Sequence, residues 1–200
     1  MTRKLLVAFA LVLFSPTLVA STVTSLHDED GGDGDLSGDR LAPTDVGALP
    51  IGVSTVTGLI FNIGVSTEDA DIFTFQVGAG TQLDSMMINI DGDRHFLGFD
   101  DGPTIDGVAS QLLIARLIGS GDSGSNLLTD PIPPGDDFGG QGVSGPLGEG
   151  SYTFWVQETA LDDVWGYTVT FQTTAIPEPS SATMLAFAGT ALIMRRRKRK

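Results

Sequence analysis

Carboxylates are the reactive side chains this sequence supplies in number. All 25 aspartates and glutamates lie between Ser21 and Pro179, where they meet three arginines, Arg40, Arg94 and Arg116, and no lysine. Oxygen donors at that density suit a hard divalent cation such as calcium. Asp69 and Asp71 flank the entry to an aromatic strand, while Asp91 and Asp93, with Asp100 and Asp101 beyond them, occupy neighbouring turns. Asp69, Asp71, Asp91 and Asp93 are therefore the candidate calcium ligands, converging at one end of a folded domain. Asp33, Asp35, Ser37 and Asp39 repeat the alternate spacing of half an EF-hand loop, but the position that should carry its bidentate glutamate is Thr44. Solvated turn aspartates are the plainer explanation for all of them.

Other chemistry has little to work with. There is no cysteine, which excludes disulfides, a thiol nucleophile and a thiolate zinc site. Of the two histidines, His27 sits in an acidic stretch and His95 reads as a turn residue, and no Gly-x-Ser-x-Gly elbow occurs. With so many carboxylates, some pair will have glycosidase spacing by chance, so that spacing carries no signal. The expectation is a protein that is not an enzyme. Trp155, outward-facing by strand alternation, is the candidate for stacking on a sugar ring, against burial under a loop. The balance of −22 between Ser21 and Pro179 repels nucleic acid.

The elements that must position these groups read as short strands of period two separated by Gly, Asp and Pro. They are 46–49, 53–62, 71–77, 83–90, 96–99, 110–118, 151–157 and 165–173. Phe73, Phe75 and Val77 share one face of the clearest strand; Met86, Ile88 and Ile90 face inward on the next. Residues 110–118 also suit a helix by preference and are assigned as strand because their neighbours are. Tyr152, Phe154 and Val156, then Tyr167, Val169 and Phe171, mark two final strands whose acidic connection suggests an antiparallel hairpin. Residues 119–150 form a long glycine-rich loop, of the kind that binds something or stays mobile.

Both ends of the chain are addresses. Residues 1–21 form a secretory signal, with Arg3 and Lys4, an apolar core from Leu5 to Phe14, and cleavage after Ala20 or after Ser21. Residues 22–45 are an acidic Gly/Asp-rich arm, and 46–174 the β domain. Residues 175–200 hold Pro177-Glu178-Pro179, an uncharged apolar run from Ser180 to Met194, and six basic residues including Arg195, Arg196 and Arg197. The prolines keep the junction extended, and the basic cluster belongs on the cytoplasmic side. As a helix the run is roughly 22 Å long against about 30 Å of hydrocarbon, short for a permanent anchor.

That order of parts resembles the PEP-CTERM sorting signal of Gram-negative bacteria. The resemblance implies export through the Sec machinery, retention in the bacterial membrane by the C-terminal hydrophobic helix, processing by an exosortase, and delivery to the cell surface or the exopolysaccharide. An ordinary single-span anchor is the alternative. DLSGDRLAPT (35–44), EDADIFTFQVGAGTQL (68–83) and GPLGEGSYTFWVQET (145–159) resemble the bacterial pre-peptidase C-terminal type of domain. This implies an all-β fold, an antiparallel jelly-roll-like β-sandwich between an N-terminal signal helix and the C-terminal helix. The expected function is that of a non-catalytic, surface or matrix protein, with a calcium-dependent carbohydrate-binding module as the alternative.

Overall fold

The computed structural model describes residues 22–62, 69–92, 94–130, 137–159 and 163–177. The signal segment, Asp93, Glu178, Pro179, the apolar run and Arg195, Arg196 and Arg197 lie outside the described residues. Among the described residues no helix is long and apolar enough to cross a membrane.

The chain is all-β, with two sheets face to face. In chain order the strands are β1 (Val23–Asp28), β2 (Thr44–Ala48), β3 (Gly52–Asn62), β4 (Ala70–Val77), β5 (Thr81–Ile90), β6 (His95–Asp101), β7 (Ile114–Ile118), β8 (Gly150–Gln157) and β9 (Asp163–Ala175). One sheet has the order β1-β3-β9-β5 and the other β2-β4-β8-β6-β7. The alternation that suggested the strands also fills the space between the sheets: Phe73, Phe75 and Val77 face Val169 and Phe171 across one buried core. Leu83 and Met86 both point inward although they are three residues apart, because the register of β5 shifts between Leu83 and Ser85. A bulge of this kind reverses the parity of everything after it.

Four expectations are corrected. The sandwich is not wholly antiparallel, since β1 runs parallel to β3 and β2 parallel to β4. Residues 23–28, read as part of an unpatterned arm, are that first edge strand. Stretch 110–118 divides into a 3-10 turn at Ala109–Gln111 and β7, whose five residues are all buried because Ile105 and Leu112 cover the outer face of Ala115. Finally, β8 and β9 do not form a hairpin. β8 lies between β4 and β6 in one sheet, and β9 lies between β3 and β5 in the other. Each has an apolar inner face and partners on both edges, so opposing positions let the two faces bury each other.

The long loop covers edges. Its first part bridges β5 at Met87 through Asn126 and its last at Leu83 through Leu147, while Phe138, Gln141 and Gly142 donate backbone hydrogen bonds to the β7 side. Leu127 and Leu128 are buried in the main core. This covers one edge of each sheet, β5 in the first and β7 in the second, against strand addition. The Asn126 Oδ1 accepts the N–H of Met86 and of Leu128, both at 3.2 Å. Asn126→Ala strands these two donors and should cost about 1–3 kcal/mol; urea unfolding checks it, and a loss near zero would mean water replaces the side chain.

Both leads of the chain leave the sandwich at one end. Val23 stands beside Val53, Gly52 opposite Thr173, and the Ile176 N–H bonds the Gly80 carbonyl. Segments 22–26, 49–56, 77–83 and 168–177, which build this end of the first sheet, contain no charged residue. The loops at the other end carry Glu29, Asp35, Asp69, Asp91 and Glu158.

Candidate functional site

At the acidic end the sandwich is opened by a missing side chain. Gly58 of β3 faces inward opposite Tyr167 of β9, and a Cβ there would lie 2.5 Å from the Tyr167 hydroxyl and 2.7 Å from the Asp71 Oδ2. A glycine inside a β-branched strand commonly marks such a close approach. Asp71, two residues before Phe73, shares the inward face of β4 and is fully buried.

The loop that follows β1 brings two more acids to this point. Glu29 is held by its own carboxylate: Oε1 accepts the Leu36 N–H at 2.8 Å and Oε2 the Leu59 N–H at 2.6 Å, which ties the loop to β3. His27 pins the same loop from outside through the Gly34 carbonyl at 2.9 Å. Ligand oxygens of Glu29, Asp35 and Asp71 lie within 4.8 Å of one another. Like charges at about that separation repel by roughly 3 kcal/mol at an effective dielectric of about 20.

The titration behaviour follows from this crowding. Burial raises Asp71 from its ordinary 3.8 to about 9; the charge of Glu29 adds to the rise, and the Tyr167 hydroxyl beside it pulls the other way. Burial raises Asp69 to about 6, with help from the charges of Asp35 and Glu29. Glu29 is also raised, chiefly by burial, against the pull of its two backbone donors. Neither oxygen of Asp71 meets hydrogen-bond geometry, and the Asp69 Oδ2 is likewise buried and unbonded.

Folded Asp71 thus holds its proton to higher pH than the unfolded chain does. Its contribution to stability is complete below about 4 and is lost as the pH rises through about 9. In chelator-treated protein the melting temperature should fall on going from acid to alkaline pH over that window. Asp71→Asn should flatten the dependence, and an unchanged slope in that variant would refute the assignment.

Of the four expected ligands, Asp71 belongs to this group and Asp69 adjoins it, whereas Asp91 does not enter it and Asp93 lies outside the described residues. Asp91 works through its backbone: its carbonyl accepts from His95 Nε2 at 2.7 Å. Asp33 and Asp39 accept local backbone N–H groups, from Asp28 and Leu41, as turn aspartates do. His95, read as a turn residue, begins β6 fully buried with Nδ1 2.8 Å from the Glu158 carboxylate, itself fully buried.

Trp155 lies half-buried on the outer face of the second sheet. Its ring meets Phe96 at 4.7 Å and the Arg40 guanidinium at 5.8 Å. Phe138, Val108 and Gln157 complete an open hollow of about 450 Å³ that contains no carboxylate. Pro177, the first residue of the sorting tripeptide, is exposed just past β9.

No protein-family model matches the chain, and no curated protein does. Among solved structures, PliG from Salmonella Typhimurium, a periplasmic lysozyme inhibitor of g-type lysozyme, is similar over 66% of this chain and 99% of its own at 18% identity. Its TM-score is 0.34, too low a likeness to carry a conclusion about either fold or activity.

Proposed function

We propose that the chain is an exported, non-catalytic surface or matrix protein, a jelly-roll-like sandwich sorted through its C-terminal signal. The observation that carries the reading is the order Pro177-Glu178-Pro179, uncharged run, basic cluster ending at Lys200. An exosortase, the Sec export machinery and the bacterial membrane are its implied partners, and exopolysaccharide its destination. The position of β9 supports this, because a strand bonded on both edges anchors the domain firmly before an exposed Pro177. The engagement of both histidines in structural contacts supports a non-catalytic role. Mass spectrometry of the C terminus of the native product tests it: a terminus upstream of Arg195 is expected, and mature protein retaining Arg195 to Lys200 would overturn processing.

A second reading, a carbohydrate-binding module, is favoured by the hollow at Trp155, where an aromatic face and Arg40 stand together in a body poor in cations. Glycan-array binding lost in Trp155→Ala would support it, and binding unchanged in that variant would refute it.

A further inference from the structure

We propose that Glu29, Asp35 and Asp71 form a divalent-cation site of the calcium class, which fastens the loop after β1 to the end of the sandwich. The donors come from two separate parts of the chain: Glu29 and Asp35 from the loop, Asp71 from β4. Their oxygens lie within 4.8 Å of one another, and among the described residues the ion pairs of this protein, His95–Glu158 and Arg116–Asp122, are elsewhere.

The second, independent observation is Asp71 itself. It is fully buried, aimed at the loop carboxylates, and both its oxygens lack a hydrogen-bond donor in acceptable geometry. Native proteins seldom leave a buried carboxylate in that condition, and each exception asks for a missing partner. A proton on Asp71 would satisfy one oxygen and leave Glu29 and Asp35 still facing each other. A cation with two charges offsets all three acids at once, and Asp69, whose Oδ2 is also buried and unbonded, lies close enough to add to the field.

The donor set selects the ion. All the side chains are oxygen donors, which suits calcium, magnesium or manganese and disfavours zinc and copper. Glu29 is already bent toward two backbone N–H groups, so the ligands form an irregular shell that calcium tolerates and the near-octahedral demand of magnesium does not. Carbonyl oxygens and water would complete the six to eight positions.

The test uses the full-length chain in detergent, with thermal unfolding and calorimetric titration in calcium chloride, magnesium chloride or chelator. Calcium at up to ~10 mM, above the range usual for extracellular modules, should raise the melting temperature, and magnesium at the same concentration should raise it less. Asp71→Asn should weaken calcium binding by about tenfold or more. In chelator the same variant should melt above the unsubstituted protein, because an amide costs less to bury beside Glu29 and Asp35 than an acid does. Asp35→Asn, at an exposed loop position, should weaken calcium binding with the fold intact, and so covers the case in which the buried substitution prevents folding. Asp101→Asn, at the opposite end of the sandwich, should change nothing. No calcium response, or a response in both site variants equal to that of the unsubstituted protein, would overturn the proposal. So would an unresponsive protein in which Tyr167→Phe lowers the melting temperature, since Asp71 would then be a neutral acid bonded to that hydroxyl.

Discussion

His95→Ala is expected to lower the free energy of unfolding by about 3–5 kcal/mol, the range for truncating a large buried ring, here with a buried carboxylate left without its partner. The ring is fully buried, with Nδ1 2.8 Å from the Glu158 carboxylate and Nε2 2.7 Å from the Asp91 carbonyl. It therefore joins three segments: the turn after β5, the start of β6 and the end of β8. Trp165 packs against it at 6.1 Å, so truncation also leaves a gap beside an indole. Glu158→Gln keeps the shape and removes the charge. In that background the loss from His95→Ala should shrink by more than about 1 kcal/mol, the coupling expected of groups in contact. Urea unfolding of the two single variants and the double variant measures it. Additive losses would show that the ring matters for packing alone.

Phe171→Ala should cost a similar amount, about 3–5 kcal/mol. Phe171 is fully buried at the middle of β9, and its ring reaches across the sandwich to Phe75 at 4.7 Å and, edge-on, to Phe73 at 6.5 Å. Those two rings continue the contact through Phe99, Phe154 and Tyr152. Removing Phe171 leaves the cluster facing a void, because strands bonded on both edges cannot close in to fill it. Phe171→Leu keeps most of the volume and should cost under about 1.5 kcal/mol. If the two substitutions destabilise equally in thermal unfolding, the aromatic contact between the sheets is not what holds them together.

The strands were legible where one face is buried and the other wet. In β4 Phe73, Phe75 and Val77, and in β8 Tyr152, Phe154 and Val156, stand at every second position and lie inside, although Ile72, Thr74 and Thr153 between them are buried as well. Pairing was not legible, because an apolar inner face says that a strand has a partner sheet and not which sheet it joins. The acidic link from Glu158 onward read as a solvent turn, whereas Glu158 turns inward to His95 and the chain crosses from one sheet to the other.

The site was half legible, and by the same rule. Asp71 stands two residues before Phe73, and His95 two before Leu97, so parity alone places both side chains on inner faces. Their polarity argued for turns, and that argument lost to the strand period. Gly58 inside a run of β-branched residues was a further sign of something close by. Glu29 and Asp35 carried no such sign. Their positions depend on how the loop after β1 is tied down at Leu36 and Leu59, which local sequence does not encode.

Because Thr22 and Pro177 emerge from the same end of the first sheet, where its own segments carry no charge, the molecule has a stem side and a crown side. A tail seated in lipid would hold the crown, with its carboxylates, outermost and set the uncharged end of the first sheet beside the bilayer, with Asp101 and Glu149 of the second sheet on the same side. Copies planted side by side would then show the medium a carpet of negative charge.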